Sequence, residues 1–261
     1  MQTIDIDAPT ASTNQIAISR QPIVDAQRMV VAYELLHRSP DATANSRVVQ
    51  TPLVLNALVG NGLTFSCAKT DWFFGCPHNA LSGPHWDLVD PVRTVVDVHL
   101  VHDHAPDRIA GIAPLLHQLR KRGFRLAFDA DVVSPLYEPW HRLADFVRVA
   151  PSDAHRAPLP ALLKAIAART GATVLAESIE NAAQFDLFQS LGVKLFQGEW
   201  FHAPEIVQSR TLSPLEANTL KLFNMVRKDT ASFEAVELLL KKDAELGVGL
   251  LRVINSAAMG A

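Results

Sequence analysis

The 261-residue chain has only two cysteines, Cys67 and Cys76, and no apolar run approaching the roughly 18 residues of a membrane span. Two cysteines nine positions apart supply neither a disulfide framework nor a zinc ribbon. The formal net charge of −3 creates no overall field that would attract nucleic acid or an acidic membrane. The first residues also lack the basic and apolar regions of a secretion signal. These absences predict a soluble, cytoplasmic protein with no nucleic-acid or membrane partner.

Hydrophobic residues make up 48% of the chain, which is enough for a substantial core. Short runs rich in Val, Ile and Phe alternate with segments whose apolar residues recur every three or four positions, as in repeated strand–helix units. This alternation predicts an α/β fold, a closed (β/α)₈ barrel of TIM type. The aromatic run WFFGCP is more typical of a core than of a docking surface. The predicted strands are 16–20, 28–36, 63–68, 93–99, 124–129, 145–149, 172–177 and 193–197, and the predicted helices are 46–59, 105–122, 157–170 and 181–190.

The first two predicted strands, 16–20 and 28–36, are joined by QPIVDAQ, which is too short for a crossover helix. We therefore expect an antiparallel hairpin, so that the barrel begins with one reversed strand. Residues 1–14 are predicted to be a flexible tail, and 15–208 to be the barrel domain. Residues 212–261 contain amphipathic helices with no strand between them, and we expect the N-terminal part of a second, truncated all-α domain there.

Acidic and polar side chains occur near the ends of the predicted strands. In a (β/α)₈ barrel these ends converge on one face, which carries the functional residues. Carboxylates crowded there repel one another unless a divalent cation or a shared proton lies between them, so Mg²⁺ or Mn²⁺ is a candidate cofactor. A helix cap or a surface salt bridge is the better interpretation of any single acid, and it is the joint placement that indicates a site. The candidates are Glu34, Asp97, Asp129, Arg148, Glu177, Glu180 and Gln197.

Four segments, in the expected order, resemble the EAL-domain family. RQPIVDAQRMVVAYELLHRS resembles the opening of that domain, LAFDAD its paired-aspartate strand, VLAESIE its A-E-G-V-E motif, and LFQGEWFHAPE its Q-G-Y-x-F-x-x-P motif. The likeness covers about 15–208. EAL domains are modified barrels that bind or cleave cyclic di-GMP with Mg²⁺ or Mn²⁺, so the resemblance implies that fold and cyclic di-GMP as a candidate ligand.

The resemblance also implies roles for individual residues. Metal-binding positions of the family are matched by Glu34, Asp97, Asp129 and Glu177. Nucleotide-binding positions are matched by Arg38, Glu180 and Gln197, and remnant catalytic positions by Glu34 and Arg148.

Several departures from the family pattern predict a degenerate site. Ala130 replaces the second aspartate of the pair, and Asp131 alternates to the other face of the strand. The catalytic lysine is replaced by Arg148, whose pKa is too high for useful proton exchange. A two-metal mechanism tolerates little change, because its ions must stay about 3.5–4 Å apart. The remaining departures are Ala150 in place of an aspartate, Asp97 in place of a glutamate, and Cys67 in place of the asparagine expected in strand 63–68.

The C-terminal stretch ending in LLRVINSAA resembles the opening of an HDOD domain, a helical signalling module, and EAL paired with HDOD is a known bacterial architecture. The first hypothesis is a bacterial signal-transduction protein whose inactive EAL domain senses cyclic di-GMP or acts as a protein scaffold. The second is an active phosphodiesterase that converts cyclic di-GMP to pGpG. The third is a protein-interaction module that binds no nucleotide. Candidate partners are cyclic di-GMP, a signalling protein, and a second copy of the chain in a homodimer.

Overall fold

The computed structural model describes residues 15–37, 70–101, 105–201, 205–210, 214–226 and 232–254. In these ranges nine strands form one sheet: β1 (Gln15–Asp25), β2 (Val30–His37), β3 (Asp71–Cys76), β4 (Thr94–Val98), β5 (Arg125–Asp129), β6 (Phe146–Val149), β7 (Thr173–Ala176), β8 (Leu195–Phe196) and β9 (Glu205–Arg210). The helices are α1 (Pro106–Lys121), α2 (Glu138–His141), α3 (Leu159–Arg169), α4 (Ala182–Ser190), α5 (Pro214–Val226), α6 (Phe233–Lys242) and α7 (Ala244–Ile254).

The sheet closes into an eight-stranded barrel because β1 pairs with both β2 and β8. Strands β2 to β8 run parallel to one another, whereas β1 is antiparallel to its neighbours, which confirms the predicted reversed strand. Strand β1 is 11 residues long, and two different strands pair with successive parts of it. Its residues 15–20 pair with β9, and 24–25 pair with β8. The predicted α/β barrel is therefore confirmed.

The hairpin between β1 and β2 is tighter than predicted, because β1 extends through most of QPIVDAQ. The turn occupies only a few residues after Asp25, whose carboxylate accepts the backbone N–H groups of Gln27 and Met29, both at 2.9 Å. Arg28 adopts a left-handed conformation with φ of 63°. This local hydrogen bonding lets the chain reverse without a crossover helix.

Strands β3 to β6 bury both of their faces. Ile23, Ala32, Phe73, Val95, Ala127 and Leu175 form a separate apolar cluster, and their alternation along the strands places it inside the barrel. The residues between them belong to the larger core under the helices, where Leu116 of α1, Ile166 of α3 and Phe188 of α4 are fully buried. Two layers of apolar side chains therefore hold the strand ends in fixed positions.

The predicted helices 105–122, 157–170 and 181–190 are confirmed as α1, α3 and α4. The predicted helix 46–59 and strand 63–68 lie outside the described residues. The third place in the barrel belongs to β3, at 71–76, between β2 and β4. Because β3 is buried on both faces, it has no alternating pattern and reads simply as an aromatic run. Trp72, Phe73 and Phe74 are buried in the core, as was expected for that run.

Helices α5 to α7 follow the barrel and, in the described part of 212–261, have no strand between them. Asn224 of α5 donates a 3.1 Å hydrogen bond to the backbone oxygen of Asp87, in a 3₁₀ turn on the barrel. Asn218 of α5 donates to the carboxylate of Asp243 at 2.7 Å, which joins α5 to the start of α7. Among the described helices, none combines the length and the apolar character needed to cross a bilayer.

Gly198 is required by a close backbone crossing between the segments that follow β7 and β8. A Cβ at this position would lie 2.1 Å from the backbone oxygen of Ile179. Two further hydrogen bonds hold the crossing, from Ile179 N–H to Gln197 O at 3.0 Å and from Trp200 N–H to Ile179 O at 3.2 Å. No side chain fits here without moving the backbone.

We expect Gly198→Ala to lower the free energy of unfolding by about 1–3 kcal/mol, because the methyl group overpacks the crossing. Urea unfolding followed by tryptophan fluorescence measures the change. The matched control is Gly111→Ala in α1, where a Cβ meets nothing within 4 Å. That variant should gain up to about 1 kcal/mol from helix propensity. Equal effects of the two substitutions would contradict the crossing.

Candidate active site

A ring of polar side chains lies one layer above the apolar interior of the barrel. Six of its members stand two positions after an interior apolar residue, and Gln21, on the reversed strand β1, stands two positions before Ile23, so the period of a strand points all of them inward. Glu34 follows Ala32, and Asp97 follows Val95. By the same spacing the ring consists of Gln21, Glu34, Asp97, Asp129, Arg148, Glu177 and Gln197. The ring lies where the parallel strands end, as predicted.

Arg148 is the ring residue that contacts most of the others, and its side chain is 1% exposed. Its Nη1 donates to Glu34 Oε1 at 2.7 Å and also to the carboxylate of Asp97. Its Nε and Nη2 lie 2.7 and 2.6 Å from Glu177 Oε2. Its Nη2 also reaches Glu34 Oε2 at 3.3 Å. One guanidinium therefore binds carboxylates from β2, from β4 and from the end of β7.

Gln197 completes the contacts from the end of β8. Its Oε1 accepts a hydrogen bond from Arg148 Nη2 at 3.4 Å, and its Nε2 donates to Glu34 and to Gln21 Oε1, the latter at 3.0 Å. Sequence reasoning missed Gln21, because its partner depends on the hairpin register. The signal that could have found it is its pairing with Glu34 across the antiparallel strands.

Burial and charge determine the protonation of this cluster. Burial raises the pKa of Asp97 from 3.8 to about 6, the attraction of Arg148 opposes that rise, and the neighbouring charges of Asp129 and Glu34 add to it. Burial disfavours the charged guanidinium, but the surrounding carboxylates outweigh this effect and raise the pKa of Arg148 above its ordinary value. Arg148 is thus a permanent cation, and Asp97 retains a proton to a higher pH than an ordinary aspartic acid does.

The rim of the barrel next to β5 differs from the prediction for Asp131. The prediction placed Asp131 on the alternate face of a strand, but β5 ends at Asp129 and the chain turns into a 3₁₀ segment, Ala130–Val133. Asp131 is ion-paired with the exposed Arg156. This hydrogen bond raises the pKa of Arg156. Asp131 therefore belongs to the rim, outside the hydrogen-bonded cluster around Arg148.

The structure brings together most of the predicted site residues. Glu34, Asp97, Arg148, Glu177 and Gln197 form one connected cluster, and Asp129 lies beside Arg148 in the strand register. Glu180 is exposed, and its backbone N–H donates to Gln184. Arg38 and Cys67 lie outside the described residues. The strand position paired with Asp97 is Gly75 of β3, which contributes no side-chain ligand there.

The carboxylates do not fit a divalent metal ion as they stand. Glu34, Asp97 and Glu177 direct oxygens at the nitrogens of Arg148, which occupies the space between them. In the described part of the chain, no three or more side chains of the metal-binding types are grouped to hold an ion. The guanidinium of Arg148, which is held in place, instead neutralises the negative charge of these carboxylates.

No model of a protein family matches the chain. A cyclic di-GMP phosphodiesterase of Vibrio cholerae, CdgJ, is 26% identical over 248 residues, which cover 92% of this chain and 56% of that protein. The chain therefore spans little more than half the length of this curated relative.

Solved structures of other proteins share the fold. BlrP1 of Klebsiella pneumoniae, in a complex with calcium and cyclic di-GMP, has a TM-score of 0.56 and 19% identity, over 81% of this chain and 60% of that one. YkuI of Bacillus subtilis, described as a protein with an EAL domain in complex with cyclic di-GMP and calcium, has a TM-score of 0.53 and 17% identity, over 80% and 61%. The barrel therefore has the fold of EAL domains, and the sequence is similar to that of a cyclic di-GMP phosphodiesterase.

Ser178 offers a test of the strained backbone beside Glu177. Its φ of 56° is left-handed, which costs a residue with a Cβ about 1–2 kcal/mol. In the A-E-G-V-E motif that VLAESIE resembles, glycine stands at this position. We expect Ser178→Gly to raise the free energy of unfolding by about 0.5–1 kcal/mol, after the greater freedom of glycine in the unfolded chain is subtracted. Ser178→Ala keeps the backbone penalty and should show no such gain in the same urea titration.

The raised pKa of Asp97 predicts that the stability of the protein depends on pH. Because the folded-state pKa is about 6 and the ordinary value is 3.8, the folded protein binds more protons than the unfolded protein between these values. The contribution of Asp97 to stability must therefore fall as pH rises through this window and level off above it. The measurement compares urea unfolding of the wild type with that of Asp97→Asn across the window. The free energy of unfolding of the wild type minus that of Asp97→Asn should fall as pH rises. A difference that stays constant or increases would contradict the raised pKa.

Proposed function

We propose that the chain is a bacterial signal-transduction protein whose EAL-type barrel recognises cyclic di-GMP without hydrolysing it. The observation that carries this proposal is the engagement of Glu34, Asp97 and Glu177 by the guanidinium of Arg148. Hydrolysis of a phosphodiester needs a water activated by a general base or by a metal ion. In this site, the general base or the ligands of the metal ion would have to come from these side chains.

The buried guanidinium supports the non-hydrolytic part of the proposal. A general base must accept a proton near the working pH, and the pKa of Arg148 is raised even above its ordinary high value. The carboxylates that could hold Mg²⁺ or Mn²⁺ are already bound to nitrogen atoms of Arg148. Arg148 therefore cannot act as the general base, and Glu34, Asp97 and Glu177 are not available as metal ligands while this cluster is intact.

The fold supports the nucleotide-binding part. BlrP1 and YkuI, which share the fold, are complexed with cyclic di-GMP. In this chain the residues proposed for nucleotide binding are Arg38 and Glu180, by direct contact, and Gln197, by positioning the ring beneath the ligand. The exposed Glu180 is accessible to a ligand at the rim, whereas Gln197 is buried and acts by fixing the ring. Arg38 would bind a phosphate, for which a guanidinium is well suited.

The second candidate function is an active phosphodiesterase that produces pGpG. It is favoured by the similarity to CdgJ, which covers 92% of this chain. Glu34, Asp97, Asp129 and Glu177 would then have to release Arg148 and bind metal. The same assays decide between the two candidates.

The third candidate, a protein scaffold that binds no nucleotide, is favoured by the surface of the C-terminal helices. Apolar side chains are exposed on α6 and α7, including Phe233 at 82%, Leu238 and Leu251. Exposed apolar clusters commonly mark protein contacts. We propose that these helices form part of an HDOD-like domain that contacts a signalling partner or, in a homodimer, a second copy of the chain.

The test is an isothermal titration of the purified chain with cyclic di-GMP, in EDTA and again in Mg²⁺. We expect saturable binding in both buffers, weakened roughly tenfold or more by Arg38→Ala because a charge-assisted phosphate contact is lost. The matched control is Arg93→Ala. Arg93 pairs with Asp71 where β3 and β4 begin, at the opposite end of the barrel, and should leave the affinity unchanged.

A parallel incubation with Mn²⁺, followed by chromatography for pGpG, completes the test. We expect no product. Product that disappears in Glu34→Ala would establish the phosphodiesterase and overturn the proposal. Absence of heat at ligand concentrations near ~1 mM, where binding is worth only about 4 kcal/mol, would favour the scaffold.

A further inference from the structure

We infer that the guanidinium of Arg148 takes the electrostatic place of a divalent metal ion. The open end of the barrel, where the parallel strands β2 to β8 end, therefore assembles without such an ion. The carboxylates of Glu34, Asp97 and Glu177 are buried and face one region. Such carboxylates repel one another unless a cation or a proton lies between them. Here the chain supplies the cation from β6. The barrel assembles in this way whether or not a nucleotide binds.

The shape of the cluster matches a planar fork of donors. Nη1 serves Glu34 and Asp97, while Nε and Nη2 converge on one oxygen of Glu177 at 2.7 and 2.6 Å. Nη1 and Nη2 also meet the two oxygens of Glu34 as a pair, at 2.7 and 3.3 Å. A guanidinium offers five N–H groups in one plane, which a lysine ammonium does not. The three carboxylates are thus arranged around the plane of the Arg148 guanidinium.

A magnesium ion requires a different arrangement. It prefers about six oxygens at roughly 2.0–2.1 Å from a single point, in octahedral geometry. The carboxylate oxygens of this cluster are instead directed at three different nitrogens. An entering ion would displace the guanidinium and leave a buried positive charge without its partners, which is unfavourable.

The backbone keeps Arg148 in this position. Its neighbours Val147 and Val149 are fully buried on the opposite face of β6, so the strand cannot turn the guanidinium outward without exposing them. Strand β6 pairs with β5 and β7 on its two sides, and Glu177 N–H donates to Val149 O at 2.9 Å. The cation and one of its acceptors are therefore tied to the same pair of strands.

The test measures thermal unfolding of the full chain, without nucleotide, in EDTA and in millimolar Mg²⁺ or Mn²⁺ at matched ionic strength. We expect the Tm of the wild type to be the same in all three buffers. We expect Arg148→Met, which keeps length but removes charge, to lower the Tm by roughly 10 °C, because three carboxylates lose their cation. Adding Glu34→Gln to that variant should restore part of the loss, since it removes one unpaired charge.

Arg125→Met is the matched control. Arg125 pairs with Asp71 at 2.8 Å, but both side chains are about one quarter exposed. Its loss should shift the Tm by far less than the loss of Arg148. If Arg148→Met does not accumulate as a folded protein, Arg148→Lys replaces it, with an intermediate loss expected because a single ammonium cannot serve all three carboxylates.

Two outcomes would overturn the inference: a saturable rise of the wild-type Tm with Mg²⁺ or Mn²⁺, or an unchanged Tm when Arg148 is replaced. Because no nucleotide is present, these outcomes are independent of whether cyclic di-GMP binds or is hydrolysed.

Discussion

The ion cluster around Arg148 is the interaction on which the open end of the barrel depends. Taking a guanidinium and several carboxylates out of water is costly, and such a cluster is stable only when geometry and hydrogen bonding are nearly complete. Here the partners of Arg148 come from β2, β4, the end of β7 and the end of β8, so each bond also fixes the position of a different strand. The charge that neutralises the acids is therefore the same group that joins the strand ends.

The cluster does not balance its charge completely. Four acids, Glu34, Asp97, Asp129 and Glu177, lie in the ring with Arg148. Burial, together with the negative charges of Asp129 and Glu34, raises the pKa of Asp97. An anionic ligand approaching this end of the barrel meets acids whose cation is already bound. Its phosphates must then be recognised by cations outside the cluster, and Arg38 is the residue proposed for that contact.

The relation between fold and chemistry in this protein is loose, as it is for barrels in general. The chain shares its fold with BlrP1 and YkuI at less than 20% identity. The fold supplies strand ends that converge, but the side chains at those ends decide the chemistry. An arginine at the centre of the acids changes what the same scaffold can do, because a guanidinium neither exchanges protons near neutral pH nor leaves an open coordination position.

The barrel, its reversed first strand and the helices after β4, β6 and β7 could be predicted from the sequence, because they follow from local periodicity and from motifs in a fixed order. The sequence also selected Glu34, Asp97, Arg148, Glu177 and Gln197. The folded structure was needed to show that Arg148 binds the acids assigned to a metal, that Gln21 and Gly75 lie beside them, and that β3 is the strand at 71–76. The reason is physical: Glu34 and Arg148 are 114 residues apart, and their contact depends on strand register and barrel closure, which no local pattern encodes.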